Sequence, residues 1–338
     1  MFKKAAMMFG AVLALGLCTL SQTQAQTVLR FQCAYPEKAH VGQSAVFFAN
    51  EVAKLTNNQL QVKLFWPDQA AVKISEAYDA VCQGTLDGYC GSLLYFASKV
   101  PEVNCQWLPY NWANAADAKD VLLNKGYIQI MAGVVAKQGA TYLGALSVCS
   151  MGLLTKFPVT QIGDLKDRKI RAVGMEAEII RALGALAVDF PAHDQYKALQ
   201  GDLIDGTDYP WYTIEQYKLY EVVKYVVKPA LHTPGVVEMI MSSRTLKALS
   251  PDQQQAVQKA ALRAMDHSFA ESDKVDQEAL SRAEKLGVQI STIPEHRLVK
   301  FRGAMRSLWN SEAKKSPDSA KLVEILREHL RKSMGIEQ

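Results

Sequence analysis

The sequence predicts an α/β protein with two lobes, each a mainly parallel sheet flanked by helices. The chain has 338 residues, enough for about two domains. Strand and helix patterns alternate along it, which is typical of parallel sheets. A helical pattern over 251–286 would be roughly 54 Å long at ~1.5 Å per residue. That exceeds one small lobe, so we expect this helix to span both.

The composition is that of an ordinary globular protein, with 49% hydrophobic, 21% charged and 9% aromatic residues. These values exclude disordered, collagen-like and disulfide-dense chains. The formal net charge of +4 is too small to predict a nucleic-acid partner.

The first 25 residues have the features of a cleavable export signal. Lys3 and Lys4 precede an apolar run over 5–20, and Thr23-Gln24-Ala25 fits a signal-peptidase site. The run is shorter than the ~18 residues that a membrane span needs, so an uncleaved anchor is the weaker interpretation. We therefore expect cleavage after Ala25, export, and no membrane insertion of the mature chain.

Cysteine and histidine spacing gives no metal or redox motif. Cleavage would remove Cys18 and leave five cysteines, so at least one thiol stays unpaired within a monomer. The chain has no C-x-x-C and no H-E-x-x-H. The sequence leaves the pairing and the oligomeric state open.

The first part of the mature chain alternates strands and helices. Apolar residues recur at strand spacing over 31–35 and 62–66, and at helical spacing over 45–55 and 72–83. A further strand is predicted over 86–94. This β-α-β-α-β order predicts parallel strands joined by right-handed crossovers.

The second part continues the pattern. We expect strands over 142–154, 169–173, 203–208 and 222–227, and helices over 176–183 and 194–200. Ser250, Pro251 and Gln253 form a capping box that begins the long helix. A strand over 288–293 and a C-terminal helix after Ser316-Pro317 follow. The predicted division is signal 1–25, lobe I 26–147 plus about 235–275, and lobe II 148–234 plus about 276–338, including the C-terminal helix.

Catalytic motifs are weak. The chain has no G-x-S-x-G, P-loop or G-x-G-x-x-G. An exported α/β hydrolase or lyase could use Asp205 or Asp208 with His193 or His232. A strand-end turn is the favoured explanation of the two aspartates.

Arg171 is the strongest candidate for a binding residue. It lies in the short strand 169–173, which otherwise has a buried pattern, and a buried guanidinium needs a carboxylate partner or an anionic ligand. The residues alone leave a structural ion pair and a ligand clamp both open. Tyr209, Trp211 and Tyr212 follow as an aromatic cluster that could line a pocket.

Several segments together resemble a known family. In chain order they are Asp164-Leu165-Lys166-Asp167-Arg168-Lys169-Ile170-Arg171, Leu183-Gly184-Ala185, Tyr196-Lys197-Ala198-Leu199-Gln200, Ile204-Asp205-Gly206 and the run from Tyr217 to Tyr225. Their order and spacing resemble the substrate-binding subunits of TRAP transporters, the DctP family. The resemblance extends over nearly the whole mature chain.

The resemblance implies a periplasmic solute receptor without catalysis, in which two lobes close on an organic acid and present it to the membrane subunits of the transporter. It places Arg171 where the family's arginine makes a bidentate bond to the ligand carboxylate, a geometry that suits a planar guanidinium. Met151, Tyr209 and Trp211 would shape the pocket, and Tyr35 and Tyr95 would contact the ligand from the other lobe.

Departures from the family pattern narrow the range of expected ligands. Relatives that bind sialic acid carry a second arginine where this chain has 149–152, and an asparagine where it has Tyr209. We therefore expect the ligand to be a monocarboxylate, either an aromatic acid or a 2-oxo or 2-hydroxy acid. A C4-dicarboxylate or a sulfonate is the alternative. Asp208 and Glu238 match acidic metal-binding positions of some relatives, but Ser150 replaces their side-chain amide. Ser150, Asp208 and Glu238 are therefore included among the nine predicted ligand-binding residues, and no metal or cofactor is predicted.

Overall fold

A computed structural model describes residues 26–190 and 194–336. The predicted signal, its cleavage after Ala25, and His193 lie outside these ranges. No helix in the ranges is long and apolar enough to cross a membrane. Within them, Cys33, Cys82, Cys90, Cys105 and Cys149 are all free thiols.

Strands and helices alternate over most of the described chain. The strands are β1 Thr27–Cys33, β2 Leu60–Phe65, β3 Gly88–Gly91, β4 Ala140–Ser147, β5 Met151–Thr155, β6 Lys169–Arg171, β7 Leu186–Val188, β8 Gly206–Pro210, β9 Tyr225–Lys228, β10 Val236–Ser242 and β11 Gln289–Thr292. The helices are α1 His40–Leu55, α2 Ile74–Gln83, α3 Ala115–Asn124, α4 Tyr127–Ala136, α5 Gly174–Ala182, α6 Gln195–Gln200, α7 Thr213–Gln216, α8 Ser243–Ala248, α9 Pro251–Lys285, α10 Glu295–Ala313 and α11 Pro317–Met334.

The strands form two sheets, which confirms the two-lobe α/β prediction. The first sheet has the order β2-β1-β3-β10-β4, and the second has the order β11-β9-β5-β8-β6-β7. We call the sheets with their packed helices the first and second lobes. Both sheets are mixed: β10 is antiparallel to β3 and β4, and β5 is antiparallel to β8 and β9. The chain crosses from the first sheet to the second just before β5, and back to the first sheet just before β10.

The crossing between β4 and β5 corrects one predicted element. The apolar run 142–154 was expected to be one strand, but it forms two strands that lie in different sheets. The break falls at Cys149, whose φ of 63° is in the left-handed region and cannot continue a strand. The next residue, Ser150, donates its backbone N–H to both carboxylate oxygens of Asp276 in α9, each at 3.0 Å. The crossing is thereby attached to the long helix.

The long helix is confirmed with its predicted start. Both bonds of the Ser250–Gln253 capping box are formed, at 3.1 and 3.3 Å. Its N-terminal part packs against α1, α3 and β4 of the first lobe, and later parts pack against α7 and β11 of the second. The helix therefore connects both lobes.

Other elements differ from the prediction. Only 88–91 of the predicted strand 86–94 is extended, because a 3-10 helix begins at Leu93. The C-terminal helix α11 forms as predicted, but it packs against α3 and α4 of the first lobe and on α10. Its apolar stripe, including the fully buried Leu322 and Leu326, is covered there rather than in the second lobe as expected.

Candidate ligand-binding cleft

A cleft of about 540 Å³ opens where strands of both sheets end. Tyr35 follows β1, Ser92 follows β3, Val173 follows β6, and Tyr209 lies near the end of β8. β1 is parallel to β3, and β6 is parallel to β8, so each pair brings two carboxyl ends to one edge. Such edges are the usual ligand sites of α/β sheets, and the volume suits a small organic molecule.

Aromatic rings line the cleft on both sides. The first lobe contributes Tyr35, Tyr95 and Trp107, and the second contributes Phe190, Tyr209, Tyr212 and Tyr217. The rings of Tyr209 and Tyr217 meet edge to face, with centroids 5.8 Å apart. The cleft therefore offers large apolar faces together with several hydroxyl groups.

Arg171 lies in the second-lobe wall and is only 6% exposed. Its Nε donates to the backbone oxygen of Phe190 at 3.2 Å, and its guanidinium lies 5.3 Å from the centre of the Tyr209 ring. Within 26–190 and 194–336 it forms no ion pair, and its two terminal nitrogens have no hydrogen-bond partner. A buried guanidinium with free terminal donors can take a planar anion such as a carboxylate.

Glu176 is a cleft residue that the sequence reasoning missed. It lies in the first turn of α5 and is 5% exposed, and its Oε2 has no hydrogen-bond partner in the described chain. Burial raises the pKa of Glu176 to about 8; Asp208 adds to this shift and Arg171 opposes it. Asp189 adds a second, exposed carboxylate at the cleft.

Five of the nine residues predicted for the site line the cleft. They are Arg171, Met151, Tyr209, Tyr35 and Tyr95. Tyr95 is 53% exposed, which places it where the cleft opens. Their location in the cleft does not test the predicted role of each side chain, so these roles stay predictions.

Trp211 and Ser150 do not line the cleft. The backbone N–H of Trp211 donates to the backbone oxygen of Ser150 at 3.1 Å. The Trp211 side chain is 4% exposed and packs in the second-lobe core. It lies beside a separate cavity of about 290 Å³. Ser150 is 1% exposed, and its backbone N–H is bound to Asp276.

Asp208 and Glu238 also lie away from the cleft. Successive side chains of a strand point to opposite faces, so Asp208 points away from the face that carries Tyr209. Asp208 is fully buried, neither carboxylate oxygen has a partner in the described chain, and burial raises the pKa of Asp208 to about 7. Glu238 is buried in β10, where it accepts the Leu93 N–H at 2.7 Å and bonds with the Gln106 amide.

The geometry does not join the acidic residues into a metal site. Asp208 lies in the second sheet and Glu238 in the first. Among the described residues, no three or more His, Cys, Asp or Glu side chains are grouped so that they could hold a metal ion.

The residues considered for a hydrolase or lyase are also dispersed. Asp205 accepts the backbone N–H of Lys169 at 2.8 Å. His232 is 1% exposed, and burial lowers the pKa of its imidazole to about 3, so the ring is neutral at physiological pH. His232 packs edge-on against Trp107, with ring centroids 5.2 Å apart. Neither residue lines the cleft.

The buried Glu238 leads to a pH prediction. Burial raises the pKa of Glu238 from 4.5 to about 8, so the folded protein keeps a proton that the unfolded chain loses above about pH 4.5. The contribution of Glu238 to the free energy of unfolding is fully present below that pH, and it is lost as the pH rises to about 8. We expect the free energy of unfolding of Glu238→Gln to fall less between pH 5 and 8.5 than that of the wild type. Urea titrations at several pH values measure this, with the exposed Glu37→Gln as control; parallel pH profiles for wild type and Glu238→Gln would contradict it.

Comparison with known proteins identifies the family. The profile of the bacterial extracellular solute-binding protein family 7, DctP, matches residues 31–316. The ectoine/5-hydroxyectoine-binding periplasmic protein UehA of Ruegeria pomeroyi is 27% identical over 268 residues, 77% of each chain. The 2,3-diketo-L-gulonate-binding periplasmic protein YiaO of Escherichia coli is 24% identical over 286 residues, 82% of this chain and 85% of that one.

A solved structure agrees with this result. The apo, open TRAP periplasmic solute-binding protein of Rhodobacter sphaeroides superposes with a TM-score of 0.75 at 25% identity, and the match covers 90% of this chain and 98% of that one. Members of the family are periplasmic receptors without enzymatic activity that bind small organic molecules and work with membrane permease subunits. The chain therefore belongs to the DctP family of TRAP-transporter solute-binding proteins, as the resemblance in its sequence predicted.

Proposed function

We propose that this receptor captures a small monocarboxylate through Arg171 and delivers it to the permease subunits of a TRAP transporter. The observation that carries the proposal is the environment of Arg171, which is 6% exposed, lines the cleft, and has no ion pair within 26–190 and 194–336. A buried charge without a protein partner is costly, and an anionic ligand would compensate it.

The other charges of the cleft favour one carboxylate over two. Among the described lining residues, Arg171 is the only one with a cationic side chain, whereas Glu176 and Asp189 are acidic. The second carboxylate of a C4-dicarboxylate would therefore have no cationic partner. The aromatic walls and Met151 suit a ligand with an apolar or flat body.

Two named relatives are consistent with a carboxylate anchor. UehA is named for binding ectoine and 5-hydroxyectoine, and YiaO for binding 2,3-diketo-L-gulonate. Each of these ligands carries one carboxylate, although their other groups differ. We transfer only this shared feature to the present chain.

A thermal-shift panel tests the proposal. The panel contains aromatic, 2-oxo and 2-hydroxy monocarboxylates, C4-dicarboxylates and sulfonates. A ligand at ~100 times its Kd stabilises the folded state by about 2.7 kcal/mol, which gives a measurable rise in Tm. We expect monocarboxylates to raise Tm and the shift to disappear in Arg171→Ala. A shift by dicarboxylates or sulfonates alone would contradict the monocarboxylate assignment.

A further inference from the structure

The cleft holds two buried ionisable side chains, one basic and one acidic, that form no ion pair with each other. Arg171 and Glu176 are 6% and 5% exposed and both line the cleft. Neither takes part in an ion pair within the described residues, and Glu176 Oε2 has no hydrogen-bond partner there. Buried polar groups in native proteins usually have a hydrogen-bond partner, so this arrangement suits a ligand that supplies a partner to each side chain.

A simple anion would satisfy only half of this arrangement. A carboxylate on Arg171 would leave Glu176 without a partner and add a second negative group to a cleft that already holds Asp189. A positively charged or N–H-bearing group on the same ligand would instead meet Glu176. This complementarity depends on the ligand having both kinds of group a short distance apart.

The aromatic walls add a second preference for positive charge. The faces of tyrosine rings attract cations, and diffuse organic cations gain most because they lose little hydration. The Tyr95 hydroxyl comes near enough to both Glu176 and Arg171 for their charges to act on its pKa, although Tyr95 belongs to the first lobe. The first lobe thus presents an aromatic ring close to both Arg171 and Glu176.

We propose that the ligand is a compact zwitterion, whose carboxylate binds Arg171 and whose cationic nitrogen binds Glu176 between tyrosine rings. The proposal rests on the proposed function and narrows its substrate class from monocarboxylates in general to those that also carry a positive charge. UehA, a relative named for ectoine, supplies a suitable probe, since ectoine is a cyclic amidinium carboxylate.

Binding of such a ligand should release a proton. The charged and titratable groups near enough to interact electrostatically with Glu176 are Arg171 from β6, Asp208 from β8, Asp189 after β7 and Tyr95 from the first lobe. Burial raises the pKa of Glu176 to about 8, so the group is mainly protonated at pH 7. A cation beside it favours the ionised form, and the proton leaves to the buffer.

The test compares matched ligands that differ in the positive charge. L-Proline is paired with cyclopentanecarboxylate, L-pipecolate with cyclohexanecarboxylate, and ectoine with 5-oxo-L-proline. Titration calorimetry at pH 7, in two buffers of different ionisation enthalpy, gives both Kd and the number of protons released. We expect at least one zwitterion to bind about tenfold or more tightly than its partner and to release close to one proton.

Variants assign the effect to Glu176. Glu176→Gln should weaken zwitterion binding about tenfold, abolish proton release, and bring the two Kd values within each ligand pair closer together. Glu178→Gln is the matched control, because Glu178 lies on the same helix, exposed and ion-paired with Arg181 at 2.8 Å. Arg171→Lys should weaken both members of every pair.

The outcomes separate this inference from the proposed function. If carboxylates bind as tightly as their zwitterionic partners and both depend on Arg171, the zwitterion assignment is wrong and the carboxylate anchor stands. Zwitterion binding that Glu176→Gln leaves unchanged would likewise overturn the role of Glu176. If no member of any pair binds while a monocarboxylate of the thermal-shift panel binds through Arg171, the zwitterion proposal is wrong and the carboxylate anchor stands.

Discussion

Arg171→Ala is expected to weaken binding of the carboxylate ligand about thirtyfold or more. Removing one partner of a buried, hydrogen-bonded charge pair costs roughly 2–5 kcal/mol, and about 2 kcal/mol corresponds to a thirtyfold change in Kd. The described lining residues include no other cationic side chain that could take over the carboxylate. Titration calorimetry with the best ligand from the thermal-shift panel measures the loss.

Two further variants make this result specific. Arg171→Lys keeps the charge but loses the planar pair of donors, so it should also bind more weakly than the wild type. Arg168→Ala is the control, since Arg168 is exposed and its guanidinium stacks on Phe157 at 4.3 Å, outside the cleft. Because Arg171 has no ion pair in the described chain, its removal should change the Tm of the empty protein little. An unchanged Kd in Arg171→Ala would show that the guanidinium is not the anchor.

Gly42→Ala is expected to destabilise the protein and to disturb the first-lobe wall of the cleft. A Cβ at this position of α1 would lie 2.1 Å from the backbone oxygen of Pro36 and 2.7 Å from that of Glu37. Backbone atoms cannot rotate away as a side-chain tip can, so the loop after Tyr35 or the first turn of α1 must move. Steric overpacking of this kind costs about 1–3 kcal/mol.

Gly133→Ala is the matched control for this change. Gly133 lies exposed in α4, and a Cβ there would meet no atom within 4 Å. Alanine in a helix interior is more favourable than glycine by about 0.5–1 kcal/mol, so Gly133→Ala should be neutral or stabilising. We expect Gly42→Ala to lower Tm and to raise the ligand Kd, since Tyr35 and Pro36 both line the cleft. Equal Tm values for the two variants would contradict the predicted clash.

Local signals made parts of the fold predictable from the sequence. The start of α9 depends on Ser250 and Gln253, three residues apart, and its capping box forms as predicted. By contrast, β10 was not predicted. It is buried along its whole length between β3 and β4, which lie far from it in sequence, and it includes the acidic residue Glu238. Its identity as a strand depends on those distant partners.

The candidate site was predictable only in part for a similar reason. Arg171 was recognisable because a charge is unusual in a short buried strand. Glu176 was not, since a glutamate in the first turn of a helix is common and favourable. Asp208 and Tyr209 differ by one position on β8, and which of the two faces the cleft depends on the register with β5, which the sequence does not specify.

The place of β10 in the first sheet affects when this protein can fold during its synthesis. β4 joins that sheet only through β10, which begins about ninety residues later in the chain. A polypeptide that is still emerging from the ribosome therefore lacks the strand that completes its first sheet until most of its length has been made. Pairing of such distant segments is slow. The topology thus delays completion of the first sheet, and of the first-lobe wall of the cleft that it carries, until β10 has been synthesised.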